Sequence, residues 1–310
     1  MSKTPLVIIN SPTATGKTAL AINLATQFGG EIINADSMQV YRYMDIGTAK
    51  PTSEQRNQVR HHLIDIVDPD EDFNAALYAQ IAGDVIARLV REKKPVFIVG
   101  GTGLYIRALL KGIIDTPQVD KKIRAHYKKL GEIHGREYLF DLLKKKDPSA
   151  ARRIKQNDSV RVVRALEVWE QTGESITSRQ ARHAFKNSPY NCFKIGLSID
   201  REKLKQQVEQ RTKKMIDLGL IAEVEALLAK GYGKDIKPMK SIGYKQIIEY
   251  LEEIYDLEEA LRRINRDTWH YAKRQMTWFA ADKEIQWFAP ESYNEIRTEV
   301  GKFLRENGLY

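Results

Sequence analysis

Residues 5–24 read PLVIINSPTATGKTALAINL, and this stretch decides the fold. The apolar run from Pro5 to Asn10 predicts a short buried strand. A helical periodicity begins at Thr18 and continues to Phe28, where Gly29 gives a typical helix end. The intervening loop therefore connects a strand to a helix, which is the context in which a G-x-x-x-x-G-K-[ST] sequence binds phosphate.

The loop from Ser11 to Thr18 carries the residues that phosphate binding needs. Such a loop points successive backbone N–H groups at a phosphate beside a helix N-terminus. Lys17 would add a cation, and the Thr18 hydroxyl would be a ligand for Mg²⁺. The first position is Ser11 rather than glycine, and a left-handed backbone there would cost serine roughly 1 kcal/mol. The motif is that of nucleotide-binding and ATP-binding proteins, and it recognises phosphates rather than bases.

The rest of the chain alternates between strand and helix patterns. Further strands are predicted at residues 31–34, 62–66, 95–99, 193–199 and 285–288. This alternation predicts an α/β fold like that of P-loop NTPases, a parallel sheet with helices on both faces. Residues 116–190 have only helical patterns, at 121–130, 135–144 and 160–171. We therefore expect a core of residues 1–115 and 191–310, interrupted by an inserted all-helical domain at 116–190.

Positive charge is concentrated in that insertion. The 310-residue chain has a formal net charge of +9, and residues 116–190 hold 17 basic and 9 acidic side chains, which is +8. A basic domain of this kind is typical of proteins that bind a polyanion. Charge alone fits a solvated, lysine-rich helical surface equally well. Residues 262–274 predict a second basic patch, with five basic side chains and only Asp267 to oppose them.

Composition excludes several classes of protein. No apolar run approaches the roughly 18 residues that a membrane helix needs, and the first strand pattern begins within a few residues of the start. A single cysteine, Cys192, excludes an internal disulfide and a thiolate metal cluster. We expect a cytoplasmic protein that does not contact membranes, and nothing demands an oligomer, so we expect a monomer.

Asp36 is the candidate catalytic carboxylate. It follows the predicted strand at 31–34, whereas the strand at 95–99 ends in GGTGLY without a carboxylate. The carboxyl ends of neighbouring parallel strands line one crevice, so Asp36 should face the phosphate loop. An aspartate after a strand is also a common turn or helix cap. The two roles can coexist.

At this point the sequence resembles the tRNA dimethylallyltransferases, also called tRNA isopentenyltransferases. The motifs that carry the resemblance run in family order over about residues 5–290: PTATGKT at 12–18, DSMQ at 36–39, Tyr41, MDIGTAKP at 44–51, GGTGLY at 100–105, ND at 157–158, RVVRALE at 161–167, IGY at 242–244 and AKRQ at 272–275. Ser11 and Thr15 depart from the usual glycine and serine of the loop.

The resemblance implies transfer of a dimethylallyl group from dimethylallyl diphosphate to the exocyclic amine of the adenosine just 3′ of the anticodon. Asp36 would be the base, Thr102 would position the base or the amine, and Lys17 would stabilise the departing diphosphate. The diphosphate site would comprise Ser11, Pro12, Thr13, Ala14, Thr15, Gly16, Lys17, Thr18 and Arg211, with Mg²⁺ on Thr18. The tRNA contacts would be Asp36, Ser37, Met38, Gln39, Thr102, Arg124, Val160, Arg161, Val162, Val163, Arg164, Lys240, Ser241, Ile242, Gly243, Tyr244, Lys245, Trp269, His270 and Lys273. The target purine must leave the anticodon-loop stack to reach such a site.

Two other functions fit parts of the sequence. A P-loop small-molecule kinase could use Asp36 as the base for a substrate hydroxyl, but this leaves the basic insertion unexplained. A non-catalytic RNA binder gated by a nucleotide would use the loop and the insertion without chemistry. The aromatic residues Trp269, Tyr271, Trp278 and Phe279 fit a core better than a stacking platform for bases.

Overall fold

The computed structural model describes residues 3–114, 117, 119–183 and 188–310. Contacts divide the chain into two compact units: a core unit, Met1–Leu110 with Ser188–Tyr310, and a helical unit, Lys111–Asn187. The sequence analysis predicted the insertion at residues 116–190, so both of its boundaries lie a few residues earlier in the structure than expected.

A parallel sheet forms the centre of the core unit. In the part of the chain that the structure describes it has six strands: β1 (Thr4–Asn10), β2 (Glu31–Asn34), β3 (His61–His62), β4 (Val96–Gly100), β5 (Tyr190–Leu197) and β6 (Ile285–Phe288). Their order is β3-β2-β4-β1-β5-β6, and every neighbouring pair is parallel. The predicted α/β fold is confirmed.

Helices surround this sheet in the core unit and make up the helical unit. In chain order they are α1 (Lys17–Phe28), α2 (Ser53–Gln58), α3 (Ala75–Arg91), α4 (Gly103–Lys111), α5 (Lys121–Lys146), α6 (Pro148–Ala151), α7 (Ser159–Thr172), α8 (Ile176–His183), α9 (Arg201–Asp217), α10 (Leu220–Ala229), α11 (Tyr244–Leu251), α12 (Leu257–Ala280) and α13 (Tyr293–Glu306), with a 3₁₀ turn at Pro238–Lys240. The sequence analysis did not predict α2, α4, α6, α8, α11 or α13.

Strand β1 is buried on both faces, as its unbroken apolar sequence predicts. Leu6 and Ile8 join a cluster that includes residues of α3, α4 and α11, while Val7 and Ile9 join a second cluster with residues of α1 and α13. Side chains alternate between the faces of a strand, so these four residues anchor both layers of helices. The loop that follows β1 therefore begins from a fixed position.

The third strand is shorter than expected. The predicted strand at 62–66 is wrong beyond its first residue, because the structure has only His61–His62 in the ladder. Leu63 has φ 62° and Asp65 has φ 56°. This left-handed backbone is incompatible with continued strand pairing, and sequence periodicity carried no sign of it.

The helical unit has its own small core. Helix α5 is interrupted at Gly135, where φ is 85°, so the two predicted segments at 121–130 and 135–144 lie on either side of the interruption. Tyr127, Leu139 and Leu143 pack with α7 residues such as Leu166. The insertion thus folds around an apolar centre and presents charged side chains on its surface.

Candidate active site

The phosphate loop lies between β1 and α1, as predicted. Gly16 has φ 86° and Ala14 has φ 64°, whereas Ser11 is not among the residues with positive φ. The buried Ser11 hydroxyl is instead hydrogen-bonded to the Thr15 hydroxyl at 2.8 Å, and Thr15 Oγ1 donates to the Pro12 carbonyl at 2.9 Å. The two departures from the usual loop sequence therefore compensate each other, and the left-handed strain of roughly 1 kcal/mol falls on Ala14.

Two cations lie at this loop. Lys17 begins α1, and Nζ is 3.5 Å from the Pro12 carbonyl oxygen. Burial, and then the charge of Arg211 on α9, lower the pKa of Lys17 to about 8, and Asp36 opposes this shift. Burial also lowers the pKa of Arg211. The two desolvated cations repel each other, and an anionic ligand would relieve this repulsion.

Asp36 follows β2, and the backbone holds its carboxylate in place. Asp36 Oδ1 accepts the N–H groups of Met38 at 2.9 Å and Gln39 at 3.4 Å. The capping role that the sequence analysis left open is therefore observed. Both bonds go to Oδ1, so the backbone holds the carboxylate through one of its two oxygens.

The turn after β4 is tied to the turn that carries Asp36. The Thr102 N–H donates to the Ala35 carbonyl at 3.0 Å, and Thr102 Oγ1 accepts the Ser37 N–H at 3.0 Å. A Cβ on Gly100 would collide with the backbone of Ala35, so glycine is required for this close approach. The structure thus brings Thr102 and Asp36 together at neighbouring strand ends.

A cleft joins the phosphate loop to Asp36. It is lined by Thr13, Lys17, Thr18, Ala21, Ile32, Asn34, Asp36, Gln39, Thr48, Ala49, Pro51, His61, Val99, Gly100 and Arg211. Four of the nine predicted diphosphate residues, Thr13, Lys17, Thr18 and Arg211, therefore line the same cleft as the predicted base Asp36. This follows from the shared carboxyl edge of the parallel strands. Ser11, Pro12, Ala14, Thr15 and Gly16 are not among the residues that line it.

Sequence reasoning did not assign a role to the wall that residues 44–51 provide. Thr48 and Ala49 line the cleft, and their carbonyls each accept from Gln39 Nε2 at 3.1 Å. Lys50 is buried and pairs with Asp45 at 2.7 Å and with Asp65 at 2.5 Å. The motif was visible in the sequence, but nothing in its spacing showed which side chains line the cleft.

Residues 45–47 are also held by a carboxylate on α10. Glu223 Oε2 accepts the N–H groups of Asp45 and Ile46, both at 2.8 Å, and Oε1 accepts the N–H of Gly47 at 3.1 Å. The Tyr244 hydroxyl donates to Glu223 Oε1 at 2.5 Å. Glu223 thereby connects the MDIGTAKP and IGY segments.

The predicted RNA-contacting residues of the core unit lie in different environments. Lys240, Lys245, His270 and Lys273 are exposed, while Tyr244 is fully buried and Gly243 is buried beside it. Ser241 and Ile242 are half-buried, as is Trp269, which lies under the Arg201 guanidinium at 5.5 Å. Phe279 is buried as predicted, whereas Trp278 is 40% exposed. At Gly243 and Tyr244, an RNA contact could involve only the backbone.

In the helical unit, the predicted arginines differ in how they are paired. Arg124 and Arg164 each pair with the buried carboxylate of Glu167, at 2.8 and 3.0 Å. The Arg161 side chain is 68% exposed beside Asp158, and Val160 is 81% exposed. Val162 and Val163 are buried in the core of this unit. Arg161 is therefore better placed to meet a polyanion than the two arginines that hold Glu167.

Among the described residues, no group of three or more His, Cys, Asp or Glu is arranged to hold a metal ion. Across the same residues, no helix is both long and apolar enough to cross a membrane.

A sequence model of the IPP transferase family matches residues 39–282, which is most of the chain. The chain is also 52% identical to tRNA dimethylallyltransferase 2 of Geotalea uraniireducens, over 97% of this chain and 98% of that protein. The chain belongs to the IPP transferase family. A second member, tRNA dimethylallyltransferase 2 of Syntrophus aciditrophicus, is 50% identical over 98% of both chains.

Solved structures of IPP transferases agree with this assignment. The tRNA isopentenylpyrophosphate transferase of Bacillus halodurans is 38% identical and superposes with a TM-score of 0.72, over 99% of this chain and 98% of that one. A eukaryotic dimethylallyltransferase, captured acting on tRNA, is 26% identical with a TM-score of 0.80, over 96% of this chain and 77% of that one. The family fold therefore extends over nearly the whole chain.

Proposed function

We propose that this chain transfers a dimethylallyl group from dimethylallyl diphosphate to the exocyclic amine of the adenosine 3′-adjacent to the anticodon of tRNA, and releases diphosphate. The observation that carries the proposal is the cleft that joins Lys17, Thr18 and Arg211 to Asp36. The names of the relatives, which are tRNA dimethylallyltransferases, support the same reaction. Since tRNA is the acceptor, we place the reaction in the cytoplasm. We also propose that the protein acts as a monomer.

The phosphate loop would bind the leaving group. Cleavage of the allylic C–O bond moves negative charge onto the diphosphate, so donors fixed at the loop stabilise the transition state more than the substrate. Lys17 and Arg211 lie here with lowered pKa values, and a bound anion would raise the pKa of Lys17 again. Binding the diphosphate relieves the mutual repulsion of the two cations.

Asp36 would accept the proton of the amine. The lone pair of this nitrogen is delocalised into the purine ring, so the amine is a weak nucleophile until its proton is removed. A carboxylate that takes the proton as the C–N bond forms is worth about 10²–10⁴-fold in rate. Thr102, tied to Ser37 at 3.0 Å, would orient the amine or the base.

We further propose that Mg²⁺ is the cofactor. The Thr18 side chain lines the cleft, and an octahedral Mg²⁺ site needs few protein ligands when substrate phosphates and waters complete it. When bound, the ion would neutralise charge on the departing diphosphate. Thr18 would hold it through its hydroxyl oxygen.

The basic surface of the helical unit would bind the anticodon arm. We propose direct phosphate contacts for the exposed Arg161 and supporting positions for Arg124 and Arg164, which hold Glu167. In the core unit, the exposed Lys240, Lys245, His270 and Lys273 remain the proposed contacts. Lysine and arginine contacts to phosphate release counterions, which makes binding salt-dependent.

The test is to ask which acceptor gains which group. One mixture contains the protein, Mg²⁺, dimethylallyl diphosphate and unmodified tRNA; the other contains ATP, Mg²⁺ and candidate metabolites. Mass spectrometry should find a prenylated adenosine next to the anticodon in the first and no phosphorylated product in the second. A phosphorylated metabolite with unmodified tRNA would favour the kinase and overturn the proposal.

A further inference from the structure

A buried glutamine on α12 connects two parts of the site that come from distant segments. The Gln275 side chain is 5% exposed. Its Oε1 accepts the N–H of Thr13 at 2.8 Å, and its Nε2 donates to the Gly101 carbonyl at 2.9 Å. Both hydrogen-bonding groups of the amide are therefore used, one on each side.

One hydrogen-bond partner of Gln275 lies in the segment proposed to bind the prenyl donor, and the other lies next to the segment proposed to bind the acceptor. Thr13 lies in the phosphate loop and lines the cleft. Gly101 precedes Thr102, whose hydroxyl accepts the N–H of Ser37 beside Asp36. A Cβ on Gly101 would lie 2.2 Å from Gln275 Nε2, so the turn packs directly against the end of the Gln275 side chain.

Strand pairing ends just before this connection. The ladder between β1 and β4 has Asn10 opposite Gly100 at its carboxyl end. Beyond that pair, the chain turns into the phosphate loop on one side and into the Gly101–Thr102 turn on the other. Gln275 links these two segments past the end of the ladder.

Tyr271, one helical turn before Gln275, strengthens the connection. Its hydroxyl interacts with the side chains of Thr102 and Gln275. Burial, followed by the charge of Asp36, raises the pKa of Tyr271, so its hydroxyl stays neutral. One face of α12 thus contacts both segments.

We propose that Gln275 is a positioning residue for prenyl transfer, which holds the phosphate loop and the Thr102 turn at a fixed separation. The inference rests on the proposed function, because it assigns the loop to the donor and Asp36 to the acceptor. Gln275 acts through Thr13 and Gly101 and need not touch either substrate. A displacement of about 1 Å between reacting groups can cost roughly 10²-fold in rate.

Two variants separate positioning from packing. Gln275→Met keeps the length of the side chain and makes neither bond; its single-turnover rate, with both substrates saturating, should fall about 10²-fold, with each KM changed less than threefold. Gln275→Glu can accept from Thr13 when ionised, and only its protonated form can also donate to Gly101. Its rate relative to wild type should therefore rise at least tenfold between pH 8 and pH 6.

The pH comparison is made as a ratio to wild type. The ionisable groups that interact in this region are Tyr271 and Arg274 of α12, Lys17 of the loop, Asp36 after β2 and Arg211 of α9. They are present in both proteins, so a change of the ratio with pH arises from the carboxylate introduced at position 275 and from its interactions with these groups.

Thermal unfolding of each variant is measured alongside, with Ile296→Val as the stability control. Ile296 is buried on α13 in the cluster that holds Val7 and Ile9, so this variant should lose stability without losing rate. Wild-type rates for Gln275→Met, or a pH-independent ratio for Gln275→Glu, would overturn the positioning role alone. A wild-type chain that prenylates no tRNA would overturn the proposed function, and this inference with it.

Discussion

Replacing Asp36 by asparagine removes the base and leaves its surroundings intact. The amide oxygen of asparagine can still accept the N–H groups of Met38 and Gln39, so the turn after β2 should keep its geometry. The loss is therefore that of the proton acceptor, about 10²–10⁴-fold in the transfer rate. At 1.36 kcal/mol per tenfold, this corresponds to roughly 3–5 kcal/mol of transition-state stabilisation.

The assay is a single turnover with enzyme in excess over labelled tRNA and with saturating dimethylallyl diphosphate, followed by nucleoside analysis at timed intervals. A non-reactive donor analogue should still bind, because the phosphate ligands are kept and the lost charge of Asp36 acts on Lys17 and Arg211 only electrostatically. Asp84→Asn, the same chemical change at an exposed position of α3, is the matched control and should react at the wild-type rate. A decrease smaller than tenfold for Asp36→Asn, with the fold intact, would refute the role of Asp36 as base.

Three further predictions follow from individual contacts. Burial lowers the pKa of Lys17 to about 8, and the diphosphate should bind the charged form of this lysine. The KM for the donor should therefore be flat below pH 8 and rise by up to tenfold per pH unit above it. A KM that stays constant to pH 9.5 would contradict this. Glu223→Ala leaves three backbone N–H groups and the Tyr244 hydroxyl without their acceptor. Chemical denaturation should therefore show that the free energy of unfolding falls by about 2–3 kcal/mol. An unchanged denaturation midpoint would show that water replaces the carboxylate. Arg161→Ala should lower the log–log slope of tRNA binding against salt concentration by about 0.7–0.9, with Glu295→Ala, an exposed change on α13, as the control. Equal slopes for wild type and Arg161→Ala would show that Arg161 does not contact tRNA phosphate.

The sequence predicted the parts of the site that depend on chain order. A buried strand, a glycine–lysine–threonine loop and a helix placed Lys17 and Thr18, and a carboxylate after the next strand placed Asp36. These predictions succeed because parallel strands bring their carboxyl ends to one edge, whatever the details of the packing. Gly29, which ends α1, was also predictable, because the left-handed residue at a helix end is usually glycine; its φ is 64°.

What the sequence could not predict depends on long-range contacts. Gln275 meets Thr13 across 262 residues, and a glutamine in a long helix has no pattern that indicates a buried bridge. Tyr271 was assigned to the core, since the periodicity of an aromatic residue is the same whether it faces apolar side chains or Thr102. The early end of β3 depends on left-handed backbone at Leu63 and Asp65. Aspartate tolerates this conformation, but leucine does not favour it, so turn preferences gave no clear signal at the residue where the strand ends.

The central claim is that the donor and the purine amine meet between the phosphate loop and Asp36. A crystal structure with a non-reactive thiolo analogue of dimethylallyl diphosphate and an anticodon stem-loop would test it most directly. We predict the diphosphate on the N–H groups and cations of residues 11–18 with Arg211, and the exocyclic amine about 3 Å from the Asp36 carboxylate. A diphosphate bound elsewhere, or an adenosine still stacked in the anticodon loop with its amine away from Asp36, would contradict the account.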